Sequence, residues 1–108
     1  MINNIDLLNN CKAKTQSVIE KFVNENFDKY FIKIQKQIIK DANNGYYKSQ
    51  INLNYFFGFC IDFSHPKYKR LSDNLKKAFI DLGFTSEYHT IDYLNDHLII
   101  SWKENDII

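Results

Sequence analysis

Glycine, proline, cysteine, arginine and alanine are all scarce in this chain of 108 residues, and each scarcity removes a class of explanation. Three glycines are too few for a glycine-rich loop that cradles phosphates, and Ser64, Ser72, Ser86 and Ser101 all lack the glycine-flanked elbow of a hydrolase nucleophile. Cys11 and Cys60 lie far apart with no third cysteine, so both read as buried thiols acting as small apolar fillers. No apolar run approaches the roughly 20 residues that a membrane-spanning helix needs, and a soluble chain is expected. No signal peptide opens the sequence, which points to an intracellular location. Single arginine and proline residues stand against 41 isoleucines, lysines and asparagines, the bias of an AT-rich genome. The preference for Lys over Arg therefore carries little physical information.

Large aromatics are what the chain has instead. Seventeen Phe, Tyr and Trp stand against three alanines, so bulky rings must fill the core and a surplus is left for the surface. A length of 108 residues fits one domain with a modest core, 1–44 helical and 45–104 strand–helix–hairpin. The net charge of +1 hides a split: residues 1–77 hold 13 Lys/Arg against seven Asp/Glu, and residues 78–108 hold one against six. A +6 front and a −5 tail can attract each other within the chain, or match patches on another copy or a partner.

Residues 71–102 give the clearest local reading. Tyr68, Leu71, Leu75, Ala78, Phe79 and Leu82 recur at helical spacing and place one apolar stripe on one face. Ser64 is the expected N-cap, Pro66 fits the first turn, Gly83 is the left-handed stop, and Phe84 folds back on the last turn. A hairpin follows. A two-residue turn at Asn95-Asp96 pairs Tyr93 with Leu98, Ile91 with Ile100 and His89 with Trp102 on one face, leaving Thr90, Asp92, His97 and Ser101 on the other. In that register Trp102 is a core residue, and its truncation to alanine should cost about 3 kcal/mol.

Upstream, residues 1–24 form a first helix capped by Asn3 or Asn4, with Ile5, Leu8, Cys11, Thr15, Val18, Ile19 and Phe22 in helical period. Asn24-Glu25-Asn26 is the expected break; one long helix through it is the alternative. In the second helix, 28–42, Phe27, Phe31, Ile34 and Ile38 face one side and Lys29, Lys33, Lys36 and Lys40 the other, while Ile32 and Ile39 fall on a third flank. Residues 49–63 alternate as a strand, with a bend near Gly58. The expected fold is α+β in the order ααβαββ, helices packed on one face of a small three-stranded antiparallel or mixed sheet.

A helix ending in Leu82-Gly83-Phe84, a polar strand, and a last strand closing on Ile100, Ser101 and Trp102 resembles a group of small uncharacterised tailed-phage proteins. In those a helix ending near an Asn-Gly pair also precedes the first strand, as Ala42-Asn43-Asn44-Gly45 does here. The resemblance covers residues 28–103 and rests on short motifs. It implies a phage accessory protein, in the host cytoplasm or the virion, and no activity.

Site chemistry points the same way. His65, His89 and His97 have no ligand spacing for a metal, and in the expected hairpin the last two point to opposite faces. Asp62 with Asp73, or Glu87 with Asp92, read as solvated carboxylates. No enzyme and no cofactor is expected. Two partner classes remain. Ile32, Ile39, Tyr46 and Tyr47 form a candidate interface with a protein or a second copy, unless the first helix folds back over that flank as a hairpin. Lys29, Lys33, Lys36 and Lys40, with Lys67, Lys69 and Arg70, are the candidate contacts to a nucleic acid.

Overall fold

The structure is a computed structural model that describes residues 4–58, 65–92 and 95–103. Its elements run α1 (Asn4–Asn43), β1 (Lys48–Asn52), α2 (Leu53–Phe56), α3 (Pro66–Asp81), β2 (Thr85–Asp92) and β3 (Asn95–Ser101). Helices pack against a three-stranded, wholly antiparallel sheet, the α+β arrangement expected.

The first correction concerns Asn24-Glu25-Asn26, which does not break the helix. The Asn26 Nδ2 donates to the Phe22 carbonyl at 2.8 Å, so a side chain suited to capping is satisfied inside the helix. Val23, Tyr30, Ile34 and Ile38 are buried along one face that runs straight through the triplet, and Phe27 stacks on Phe31 at 5.6 Å. Tertiary packing outweighs the weak helix propensity of asparagine. The two expected helices are one, the order becomes αβααββ, and the first helix does not fold back over the second. Forty residues at about 1.5 Å each make a helix about 60 Å long. The molecule measures 66 × 29 × 25 Å, with a radius of gyration of 17.3 Å against about 13 Å for a compact chain of this length.

Both long helices stop in the same way. At α1 the Tyr46 N–H reaches the Asp41 carbonyl at 3.0 Å and the Gly45 N–H the Ala42 carbonyl at 3.0 Å. At α3 the pattern repeats, Phe84 to Phe79 and Gly83 to Ile80, each at 3.0 Å. Gly45 and Gly83 take φ of 86° and 100°, the left-handed geometry that satisfies the last carbonyls. Phe84 meets Phe79 edge to face at 5.8 Å, which seals the stop as the sequence suggested. At the other end of α3, His65 is the N-cap, accepting the Lys67 N–H on Nδ1 at 3.2 Å, with Pro66 at the first position. The expected cap, Ser64, lies outside the described residues. Leu71, Ser72, Leu75 and Phe79 form the buried face; Leu82, expected with them, is exposed.

The strand expected over 49–63 ends at Asn52. The Asn52 side chain accepts the Asn54 N–H at 3.1 Å and starts the single turn α2, so the alternating pattern gives way to Leu53 and Phe57, both buried and one helical turn apart. Gly58 follows with φ 129°. Cys60, Asp62 and the rest of 59–64 lie outside the described residues.

Strand order is β1-β3-β2, and β3 pairs Leu98 with Ile51 and Tyr88, and Ile100 with Ser49 and Ser86. The expected hairpin register is therefore wrong by an odd number of residues, which reverses the faces of β2. Asn95 and Asp96 are strand residues opposite Asp92 and Thr90, and Tyr93, of the expected pairing, lies outside the described residues with Leu94. Asn-Asp lacks the glycine that fixes a tight two-residue turn, so packing chose the register. Ile100 needs small neighbours: Ser49 and Ser86 flank it, all three buried, and α1 and α3 close over that row. His89 and His97 are direct partners on the same face, not on opposite ones.

Two outcomes check this description. Gly83→Val should lower stability by about 1 kcal/mol or more, seen as a lower urea midpoint. The space around Gly83 is open, so the loss would come from the backbone alone. Ser49 donates to Asp41 Oδ2 at 2.6 Å, and Gln37 Nε2 lies 3.1 Å from each oxygen. These bonds, Ser49 first, hold the Asp41 carboxyl below its ordinary pKa. A depressed folded pKa stabilises above the unfolded value near 4, and the effect disappears as pH falls through the folded one. Ser49→Ala should therefore cost about 1 kcal/mol at neutral pH, and the deficit should shrink below about pH 4.

Candidate interaction surface

The end of α1 and the end of α3 lie side by side because Phe31 stacks on Phe79 at 4.8 Å. Beyond that stack, Ile38, Ile39, Phe79, Leu82 and Phe84 line a shallow apolar groove with Gln35. A second groove shares Leu82 and Phe84 and continues through Gly83, Thr85, Ser101 and Trp102 to Lys103. Trp102 stands edge-on to Phe84 at 6.3 Å, and its backbone N–H donates to the Tyr47 carbonyl at 3.0 Å. Ile39, off the buried face of α1, and Leu82, the C-cap of α3, are each 60% exposed.

Of the four residues expected at an interface, Ile39 sits in this surface. Ile32 lies two helical turns before it on the same flank and is also exposed. Tyr46 and Tyr47 are exposed on the loop into β1, where the Tyr47 carbonyl serves Trp102 and Ser101. The sequence pattern places Leu82 in the helix stripe, Phe84 as a folded-back cap and Trp102 in the core strand. Their common signal was position: they border the Gly83 stop and the end of β3, where an apolar residue has only partial cover.

The lysines divide into two groups. Lys33 donates to the Phe56 carbonyl at 2.9 Å, and its ammonium stands 4.7 Å from the Phe56 ring centre. Lys29 lies over Tyr30 at 5.1 Å, and Lys67 over Phe22 and Tyr68 at 4.8 and 5.3 Å. These cations serve the protein's own rings. Lys36, Lys40, Lys69 and Arg70 are exposed. The structure does not gather the seven basic residues into one track: four follow α1, and three stand on the first turn and a half of α3.

Polar side chains converge in two other places. A cavity of about 180 Å³ is lined by Leu53, Lys69, Asp73, Tyr88 and Asp96. Within it the Tyr88 hydroxyl donates to Asp73 Oδ1 at 2.7 Å. Loss of water, then Asp73, pushes the Tyr88 pKa well above the ordinary phenol value, so the hydroxyl is a fixed donor rather than a base. On the outer sheet face His89 Nε2 lies 3.0 Å from Glu87 Oε2, and His97 Nδ1 meets Gln50 Nε2 at 3.1 Å. Among the described residues, no group of three His, Cys, Asp or Glu is placed to hold a metal ion. Cys11 is exposed, not the buried filler expected; it borders shallow clefts between α1 and the start of α3, with His65, Pro66 and Arg70.

Compared with protein-family models, curated proteins and solved structures, the chain matches none. Among the described residues no helix is long and apolar enough to cross a membrane.

Trp102 lies past the end of β3 and is half-buried, so the expected loss of about 3 kcal/mol is too large. Trp102→Ala should cost roughly 1–2 kcal/mol by urea denaturation. Its emission should lie between that of a buried and a fully hydrated indole.

Proposed function

We propose that this protein is a non-enzymatic binding component that recognises another protein through the apolar end surface formed by Ile39, Leu82, Phe84 and Trp102. The observation that carries this reading is the exposure of Ile39 and Leu82 side by side with two aromatic rings in a pair of joined grooves. Apolar anchors in shallow grooves, with aromatics at the centre and charges at the rim, are how protein interfaces gain most of their affinity. Lys103, at the far end of the second groove, supplies one such charge. The setting proposed is a tailed phage, as a virion component or as an inhibitor of a host factor, and the likeness of residues 28–103 to small phage proteins supports it.

Binding to a nucleic acid through the lysine faces is the competing outcome. Purified virions and infected-cell extracts, probed with the tagged protein and its Leu82→Asp variant, separate the two. The expected result is a stoichiometric protein retained from about 50 to about 200 mM salt. The variant should lose it while keeping its helical circular dichroism, since Leu82 is exposed. Capture that falls steeply with salt and is abolished by nuclease would overturn the reading in favour of phosphate contacts. So would equal capture by the variant.

A further inference from the structure

The first 15 described residues of α1, Asn4–Val18, extend beyond the body, and they are not a plain solvated arm. At about 100° per residue, Ile5, Leu7, Leu8, Cys11, Thr15, Val18, Ile19 and Phe22 fall within an arc of roughly 160°, with Asn4 and Lys12 among them. The remaining arc holds Asp6, Asn9, Asn10, Ala13, Lys14, Gln16, Ser17, Glu20 and Lys21. Ile5, Leu8 and Val18 are 71%, 54% and 56% exposed. Ile19 and Phe22 pack against the core's edge, so the stripe leaves the body already half in use.

We propose that a second copy of this chain covers the stripe, the two arms pairing as antiparallel helices about a two-fold axis near Ala13. Three observations favour a second copy over a different partner. The seam is self-complementary: Leu8, Cys11, Thr15 and Val18 read large, small, small, large in either direction. Antiparallel pairing therefore sets Leu8 against Val18 of the second copy, and Cys11 against Thr15.

The seam also has a fixed length. Beyond Phe22 the same line along α1 is taken over by Lys29, Lys33, Lys36 and Lys40. A parallel pair would bring those four lysines together; an antiparallel pair ends before them. The tip of one arm then reaches the start of α3 in the other copy. There His65 and Pro66 wall a cleft of about 400 Å³ with Cys11, Lys14, Thr15, Val18 and Ile19 of their own chain.

The third observation is surface area. The chain exposes 8185 Å² at a mass of 12.9 kDa. A compact monomer of that mass exposes about 6,300 Å². The excess, roughly 1,900 Å², is that of the elongated chain as a whole, and it leaves room for the ~800 Å² each partner gives to a standard interface. This pairing is independent of the end surface, which lies at the opposite end of α1.

Sedimentation of the full chain at micromolar concentration tests it. The expected mass is twice 12.9 kDa, falling to the monomer in a Leu8→Asp, Val18→Asp variant that keeps its cooperative unfolding. The register is read by mild oxidation: Thr15→Cys should give a covalent dimer through Cys11 far faster than Ser17→Cys, which lies on the polar arc. Adding Cys11→Ser to Thr15→Cys should abolish that bond. A monomeric parent, a double variant that stays dimeric, or equal crosslinking from positions 15 and 17 would each overturn the pairing. Loss of end-surface binding by Leu82→Asp with the dimer intact would show that the two surfaces act separately.

Discussion

Everything in this fold depends on one helix face having to satisfy two neighbours at once. The side of α1 that carries Val23, Tyr30, Ile34 and Ile38 meets α3 and the inner face of the sheet together. Rings make the junction: Phe31 stacks on Phe79, Tyr30 meets Phe57 edge to face at 5.0 Å, and Phe57 leans on Tyr68 at 5.3 Å. Phe22 meets Tyr68 edge to face at 5.1 Å, so ring contacts hold α1 on both sides of the Asn24-Glu25-Asn26 triplet and the helix continues through it. A continuous α1 then sets the length of the molecule, frees its first turns from the body and leaves its last turn beside Leu82. The two exposed apolar surfaces are thus consequences of the same packing that makes the core.

The sequence made local stops and starts legible. The Gly83 stop with Phe84 folded onto Phe79, the helix end at Gly45, and the amphipathic face of Ile34 and Ile38 all follow from short-range chemistry, and all are present. What it misplaced was decided at longer range. The break at Asn24 lost to packing across it. The strand past Asn52 lost to a cap that the same asparagine provides, since its side chain can serve Asn54 as readily as a ladder. The hairpin register was set by which residues tolerate crowding beside Ile100, and Ser49, far back in the chain, is half of that answer.

The candidate surface was legible only in part, for a related reason. Ile32 and Ile39 stood out because they fall off the buried stripe of a helix, and they are indeed exposed. Leu82, Phe84 and Trp102 did not, because each continues a regular pattern whose last member happens to lie where cover runs out. Nor could a pattern show that Lys33 and Lys67 are held over the protein's own rings, since cation and ring come from separate elements.

The strand order also fixes when the molecule can be finished. The middle strand, β3, is the last of the three to leave the ribosome, and both outer strands pair only with it. A nascent chain can therefore form α1 and α3 early, but Ile51 and Ser86 have no ladder to join until the segment through Ser101 emerges. During that interval the inner side of α1 presents Ile34 and Ile38 without Leu98 and Ile100 to complete the core.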